Sequence, residues 1–383
     1  MVKKTFCILF ALCSVLFLFT SCKKNFGYEE EKETQEVNTW LESGELQKYK
    51  PYKMGFVFSG FIGDKGWNAV HNEARRELEK NLGLKTEFVS NAVSEREIED
   101  AIEKLIDDGC NIISTCSLSY IDKTIEEAKK HPDIYFFNCS GVGDVDNLST
   151  FFGRKYQANY LCGIAAGMRT ETNKIGYVAP TVYPESLRLL DSFALGVKSV
   201  NKDAEVFVKF TGKWFDPPKE KSNAIQLINY DCDVIAQNQN SRSAQAAAQQ
   251  ATKCGKRVWC IGENISGYHD APDSYLTSSL FDFFPYYKGE IDKIIAGTWE
   301  SSDYWGGLED KVISIDTLSE NCAEGTREAI EREYERIVSG ENKIFDGPIY
   351  DNNGNLKIKK GEALSDQELR QIDWYVDGVT VIN

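Results

Sequence analysis

Short apolar runs alternate with amphipathic segments along most of the chain beyond residue 50. The run Lys53–Ser59 predicts a strand, and after a Gly-rich turn a helix is predicted over about 67–81. Ser94 and Glu97 have the spacing of a capping box. Apolar residues then recur at helical spacing from Ile98 to Ile106. This order of strand, helix, strand and helix is typical of βαβ units.

The alternation runs twice, with a break near Gly153. The first run predicts strands at 53–59, 84–90, 111–114 and 134–138, and the second predicts strands at 174–179, 205–210, 233–237 and 257–261. Helices are predicted between them, and such an alternation requires parallel sheets. The segments 275–280 and 306–315 are interpreted as return crossings. We therefore predict an α/β fold with two doubly wound parallel-sheet lobes.

The repeated pattern also predicts how the chain is divided. Lobe 1 is expected to comprise 51–153 with about 277–299, and lobe 2 to comprise 154–276 with about 300–383. A chain of 383 residues is long enough for two domains that each bury a core.

The N-terminal segment is a separate unit in the sequence. A basic start precedes an apolar run from Phe6 to Phe19, which is shorter than the ~20 apolar residues of a transmembrane helix. Small residues then precede Cys22, where a bacterial lipoprotein would be cleaved and acylated. We predict a signal peptide over 1–21 and a lipid-anchored acidic tether over 22–50, so that the body meets the membrane only through this anchor. An ordinary signal peptide with an incidental Cys22 is the alternative.

Composition and charge narrow the class of protein. The formal net charge of −15 gives an acidic surface that repels phosphate backbones, so no nucleic-acid partner is expected. Of the 11 cysteines, those in or beside apolar strand-like runs are Cys110, Cys116, Cys139, Cys232 and Cys260. We expect these to be small buried apolar side chains, although export would also permit a disulfide. The lack of a CxxC pair and of paired histidines argues against zinc, and no cofactor is predicted.

The loops that follow the predicted strands combine aromatic and amide side chains. Ligands of open parallel sheets bind beyond the carboxyl ends of the strands, and a flat heteroaromatic ligand needs ring faces and hydrogen-bonding groups. The candidate ligand-binding residues in these loops are Trp67, Asn68, Ser117, Asn138, Tyr183, Glu185, Trp214, Phe215, Asp216, Gln237, Asn238 and Asn264. Packing of the tryptophans, helix capping by Asp216 and a solvated loop at 237–240 are the alternative interpretations.

Catalytic motifs are scarce. His71, His131 and His269 accompany no recognisable nucleophile motif, and the sequence contains no P-loop. Gly141-Val142-Gly143 is a lone GxG that does not clearly open a helix. We therefore predict a binding protein rather than an enzyme, although carboxylates that pair in space for acid–base chemistry are invisible in a sequence.

Several stretches, taken in order from about Met54 to the C-terminus, resemble the basic-membrane-protein family of substrate-binding lipoproteins. They are 63–68 (GDKGWN), 153–167 (GRKYQANYLCGIAAG), 173–178 (NKIGYV), 214–217 (WFDP), 297–299 (GTW), 347–349 (GPI) and 373–378 (DWYVDG). The resemblance implies a type I periplasmic-binding-protein fold with two lobes joined by three crossovers. It also implies a monomer that serves the permease and ATPase subunits of an ABC importer.

Characterised members of that family mostly bind purine nucleosides, and some that are similar to this chain in the Trp-Phe-Asp-Pro segment look like binders of a free purine base. The resemblance places Trp67, Asn68 and Trp214 in ligand loops. It places Gln237, Asn264 and Asp282 at further pocket-facing positions.

Two departures from the family pattern bear on the ligand. Nucleoside-binding relatives typically hold the ribose with an Asp and a Lys, where this chain has Asn264 and Phe281. A charge-assisted sugar clamp is therefore expected to be missing, and Phe281 or Phe283 would add apolar surface instead. We predict an extracytoplasmic receptor for a purine, with a free base such as adenine favoured over a nucleoside. The alternatives are a flavin receptor of the same fold, a surface adhesin or antigen that has lost transport, and a nucleoside hydrolase.

Overall fold

The computed structural model describes residues 44–382. The predicted signal peptide, the predicted acylation site Cys22 and most of the predicted tether lie outside these residues. A short helix, α1 (Gly44–Gln47), precedes the first sheet. Across residues 44–382, every helix is too short or too polar to traverse a lipid bilayer.

Strands and helices then alternate as the sequence pattern predicts. The first run consists of β1 (Lys53–Phe58), α2 (Trp67–Leu82), β2 (Lys85–Ser90), α3 (Glu95–Asp107), β3 (Ile112–Thr115), α4 (Ile121–Lys130), β4 (Tyr135–Cys139) and β5 (Leu148–Gly153). The second run consists of α5 (Tyr156–Arg169), β6 (Lys174–Ala179), α6 (Pro184–Val200), β7 (Glu205–Phe210), α7 (Pro217–Asn229), β8 (Val234–Gln237), α8 (Ser243–Lys253), β9 (Trp259–Asn264) and β10 (Tyr275–Phe281). The remaining elements are α9 (Phe284–Ala296), β11 (Asp303–Gly306), β12 (Ile313–Ile315), α10 (Thr326–Val338), β13 (Ile349–Tyr350), β14 (Leu356–Ile358), α11 (Asp366–Leu369) and β15 (Val379–Val381).

Two sheets define the two lobes. The first has the strand order β11-β5-β4-β3-β1-β2, and all its strand pairs are parallel. The second has the order β12-β10-β9-β8-β6-β7-β15, in which only the edge strand β12 is antiparallel. The predicted fold class, two doubly wound α/β lobes, is therefore present.

The chain changes sheet three times. It leaves the first sheet after Gly153, returns after Phe281, and leaves again after Gly306. The segment 275–280, interpreted from the sequence as a return crossing, is most of strand β10 in the second sheet. The expected lobe limits near 277 and 299 thus lie a few residues before the points at which the chain changes sheet.

Several local predictions agree closely with the structure. The predicted strands at 174–179 and 205–210 have the bounds of β6 and β7. The capping box at Ser94 and Glu97 is confirmed, because each residue accepts a hydrogen bond from the backbone of the other.

Glycines allow the two helices that follow the first crossing to pack closely. A Cβ atom on Gly163 of α5 would lie 2.1 Å from the carbonyl oxygen of Phe193 in α6. A Cβ atom on Gly196 of α6 would lie 2.0 Å from the carbonyl oxygen of Tyr160 in α5. These distances are far below van der Waals contact, so a glycine is required at each of these two positions for the helices to pack.

The cysteines are free thiols throughout residues 44–382. The five for which the sequence predicts burial are buried, and burial raises the pKa of the Cys116 thiol to about 12. They behave as the small apolar side chains that the sequence predicts.

Candidate ligand-binding cleft

A cavity of about 380 Å³ lies between the two sheets. Its volume is within the range of about 300–1,000 Å³ that is usual for small-molecule sites. Most of the lining residues stand at, or a few positions beyond, the carboxyl ends of strands from both sheets. They are Ser59, Trp67, Ser117, Leu118, Ser140, Lys155, Thr181, Tyr183, Glu185, Leu189, Trp214, Asn238, Asn240, Glu263, Asn264 and Phe281. The cavity is therefore at the place where open parallel sheets bind ligands.

Trp67 forms part of the first-lobe wall and is held in a fixed position. Its indole Nε1 donates a hydrogen bond of 2.7 Å to the carbonyl oxygen of Cys116. The ring packs edge-on against His71 and Phe281, with centroid distances of 4.8 Å and 5.6 Å. The Trp67 side chain thus contacts both the loop that follows β3 and strand β10 of the second sheet.

The carboxylate of Asp64 organises the loop before Trp67. It accepts hydrogen bonds from the backbone N–H groups of Gly66, Asn68 and Ala69 at 2.8–3.1 Å. These are among the N–H groups that a helix N-terminus leaves without intrahelical partners. The predicted site residue Asn68 also contacts this carboxylate through Nδ2, at 2.8 Å, and is buried beside the cavity rather than lining it.

A buried polar chain supports Trp67 from behind. The Nδ1 atom of His71 lies 3.3 Å from the hydroxyl of Tyr287, which in turn is 2.9 Å from the Ser114 hydroxyl. Burial lowers the pKa of His71 to about 3, because a charged imidazolium would be poorly solvated there. His71 is therefore neutral at physiological pH.

The second-lobe wall contains a buried ion pair. The ammonium group of Lys155 donates hydrogen bonds to Glu263 and to the side-chain oxygen of Asn264. It also lies over the ring of Phe281, 4.4 Å from the centroid. Glu263 accepts a second hydrogen bond, of 2.6 Å, from the hydroxyl of Ser279.

Burial shifts the pKa values of the two members of this pair in opposite directions. It lowers the pKa of Lys155 and raises the pKa of Glu263, while their mutual attraction opposes both shifts. The predicted absence of a charge-assisted sugar clamp stays a prediction, because Lys155 is bonded to the protein's own side chains. The positions 264 and 281 lack the family's Asp and Lys, but a lysine from the start of α5 reaches the same corner.

The remaining second-lobe groups come from three loops. Asn264 has a φ of 68° and donates through Nδ2 to the side chain of Asn240, at 3.0 Å. Trp214 is 36% exposed. The backbone carbonyl of Trp214 accepts a 2.9 Å hydrogen bond from the backbone N–H of Asn240. Glu185 lies in the first turn of α6, and burial raises the pKa of its carboxyl while Arg188 and Lys155 oppose that shift.

The other predicted site residues lie off the cavity, and all of them except Phe215 have structural partners. The Nδ2 of Asn138 donates to Thr115 and to the backbone of Ser117. Asp216 caps α7, Gln237 donates to the backbone of Ser241, and Asp282 accepts from the backbone of Phe284. Phe283 is buried against His71 and Phe281, and Phe215 is a 53% exposed side chain. None of these residues lines the cavity, and their predicted roles in binding stay predictions.

The two lobes touch beside the cavity. The Lys65 ammonium of lobe 1 lies 2.7 Å from the Asp270 carboxylate of lobe 2. A Cβ atom on Gly66 would lie only 2.5 Å from the carbonyl oxygen of Asn240. Backbone from one lobe therefore rests on backbone from the other, which is a closed arrangement.

Two α/β lobes that close over a small-molecule cavity at their strand ends define a substrate-binding protein of the type I periplasmic-binding-protein fold. Residues 52–346 match the family Bmp, described as PnrA-like ABC transporter substrate-binding proteins, and the chain belongs to this family. The predicted family and fold are confirmed. Membership implies a small-molecule ligand, ABC transporter partners and an extracytoplasmic location.

Similar proteins cover most of the chain. A purine-binding protein of Brucella abortus is 33% identical over 345 residues, which is 90% of this chain and 97% of that protein. A putative ABC transporter glucose-binding protein of Haloferax volcanii is 32% identical over 77% of this chain and 74% of its own length. A solved ABC transporter solute-binding protein of Conexibacter woesei has a TM-score of 0.65 and 22% identity, over 76% of this chain and 97% of that one.

Proposed function

We propose that this chain is a lipid-anchored receptor that captures a purine, as the free base, between its lobes and delivers it to an ABC importer. One observation carries the ligand class: Trp67 of lobe 1 and Trp214 of lobe 2 line the same cavity. Rings from both walls suit a flat heteroaromatic guest, because base–aromatic stacking contributes about 1–3 kcal/mol per base. The purine-binding relative from Brucella abortus supports the same class.

The size of the cavity supports a base over larger ligands. At about 380 Å³ it lies near the lower end of the usual range for small-molecule sites. A flavin is larger than a purine base, and a nucleoside adds a ribose that needs polar partners. In the expected sugar-binding corner, Lys155 is already bonded to Glu263 and Asn264.

Isothermal titration tests the ligand class. Adenine, guanine, adenosine, riboflavin and glucose are titrated into the mature protein after denaturation and refolding to remove any co-purified compound. We expect heat with the free bases and weaker or no binding of the other three. Binding of riboflavin or glucose alone would replace the purine proposal, and no binding of any compound would favour the adhesin alternative.

Acyl labelling tests the anchor. The full chain is expressed in a bacterial host fed with a labelled fatty acid, and label is expected in the wild-type protein and in Cys254→Ala, which lacks an exposed cysteine of the body. Cys22→Ala should carry no label. Label on Cys22→Ala would show that the anchor is elsewhere.

A further inference from the structure

Three charged side chains line the cavity, and two of them neutralise each other. Lys155 is bonded to Glu263, and Ser279 satisfies the other oxygen of Glu263. The third is Glu185, whose carboxylate makes no hydrogen bond or ion pair with any residue in the described range 44–382. The cavity wall therefore has one surplus carboxylate.

The nearby cation does not satisfy this carboxylate. Arg188, one turn further along α6, donates from Nη1 to the backbone carbonyl of Leu369 at 2.8 Å and packs on the Trp305 ring. It attracts Glu185 only from a distance. A partly desolvated carboxylate without hydrogen-bond donors is costly, so a bound ligand that supplies donors would relieve that cost.

We infer that Glu185 selects the ligand by accepting a hydrogen bond from its exocyclic amino group, so that this cavity takes a neutral, amino-bearing purine base and rejects anionic nucleotides. The inference rests on the proposed function and makes it narrower. A carboxylate is an acceptor only, and a bond from an N–H group to it is charge-assisted and about twice as strong as a neutral one. Adenine and guanine offer an exocyclic amino group to such an acceptor, whereas hypoxanthine lacks it. A phosphate group would be repelled by the surplus charge.

The residues that line the first-lobe wall include no charged acceptor. Its lining residues are Ser59, Trp67, Ser117, Leu118 and Ser140, all uncharged. On the second wall, the side-chain oxygen of Asn264 is occupied by Lys155 and its amide nitrogen by Asn240. Glu185 is thus the strongest acceptor left for a ligand.

The test compares three proteins and four ligands by calorimetry. Wild type, Glu185→Gln and Glu205→Gln are each titrated with adenine, guanine, hypoxanthine and AMP. Glu205 is an exposed carboxylate at the opposite end of β7 in the same lobe, so its variant controls for the loss of one charge.

We expect wild type and Glu205→Gln to bind at least one amino-bearing base about 10- to 100-fold more tightly than hypoxanthine, and not to bind AMP. In Glu185→Gln, the affinity for that base should fall by about the same factor, and the preference over hypoxanthine should largely disappear. Unchanged affinity and preference in Glu185→Gln would overturn the inference while leaving the purine receptor intact. A wild-type protein that binds none of the bases would instead overturn the proposed function itself.

Discussion

The two walls of the cleft are built on different physical principles. In lobe 1, every lining side chain is uncharged, and Trp67 is held by a hydrogen bond to the backbone and by surrounding rings. In lobe 2, the lining includes a buried lysine, two carboxylates and the partly exposed Trp214. The first wall is a preorganised, uncharged platform of one ring, one leucine and three serine hydroxyls, while the second supplies charged groups. Stability and ligand selection should therefore respond differently to changes in the two walls.

The largest effect is expected from breaking the buried pair of lobe 2. Lys155→Met leaves Glu263 buried without its cation, which should lower the free energy of unfolding by about 3–5 kcal/mol. Urea denaturation followed by tryptophan fluorescence measures this change in the free energy of unfolding. The double variant Lys155→Met/Glu263→Gln should recover much of the loss, because neither of these two positions then carries a buried charge.

A matched surface lysine provides the control for that experiment. Lys104 pairs with Asp108 on the exposed face of α3, and Lys104→Met should leave the unfolding curve nearly unchanged. Equal destabilisation by both lysine variants would contradict the assigned role of the buried pair.

Removing the aromatic ring of the second wall should weaken binding rather than folding. Trp214→Ala is expected to reduce the affinity for a purine base by about 1–3 kcal/mol through lost stacking. Phe215→Ala removes the neighbouring ring, which lies outside the cavity wall, and should have little effect. Calorimetry on both variants measures the difference, and a larger loss in Phe215→Ala would reverse the assignment of the two rings.

Acid should destabilise the first wall through His71. Its pKa is about 3 in the folded state and close to 6.5 in the unfolded chain, so only the unfolded state takes up a proton as the pH falls below 6.5. The contribution of neutral His71 is complete above that pH and declines below it, by about 1–2 kcal/mol near pH 5. Urea midpoints between about pH 8 and pH 5 should show this decline in wild type and less of it in His71→Gln. Identical slopes would mean that His71 titrates normally.

The smallest effect is expected at the contact between the lobes. Lys65→Met removes the partly exposed ion pair with Asp270 and should weaken ligand binding by about 0.2–1 kcal/mol, because this pair joins the two lobes and separation of the lobes would break it. The loss should shrink at high salt, since exposed pairs are screened. Titrations at low and high salt test this, and a loss independent of salt would argue against an ionic contact.

The sequence predicts the fold and the location of the cleft well. Strand and helix periodicities differ clearly in α/β units, and the strand ends then follow from the pattern. Strand β5 was not predicted, because Ser149 and Thr150 interrupt its apolar residues. Helix α9 was not predicted either, since Tyr286 and Tyr287 are both buried and the apolar positions do not form a single stripe.

Individual site residues were harder to predict than the location of the site. Amides such as Asn138 and Gln237 satisfy backbone groups, a role that the residue type alone does not separate from ligand binding. Lys155 was not expected because lysine is rarely buried without a partner, and its partner Glu263 is more than a hundred positions away. No local signal separates Lys155 from its neighbour Arg154, because both charged residues stand directly before the mostly buried helix α5.

The contact between Gly66 and Asn240 limits how far the two lobes can close. Backbone atoms of the two lobes meet there, and backbone atoms cannot move aside by a change of rotamer. They therefore block any further approach of the lobes. The width of the closed cleft is therefore set by the protein and not by the ligand. Any residue larger than glycine at position 66 would hold the two lobes farther apart.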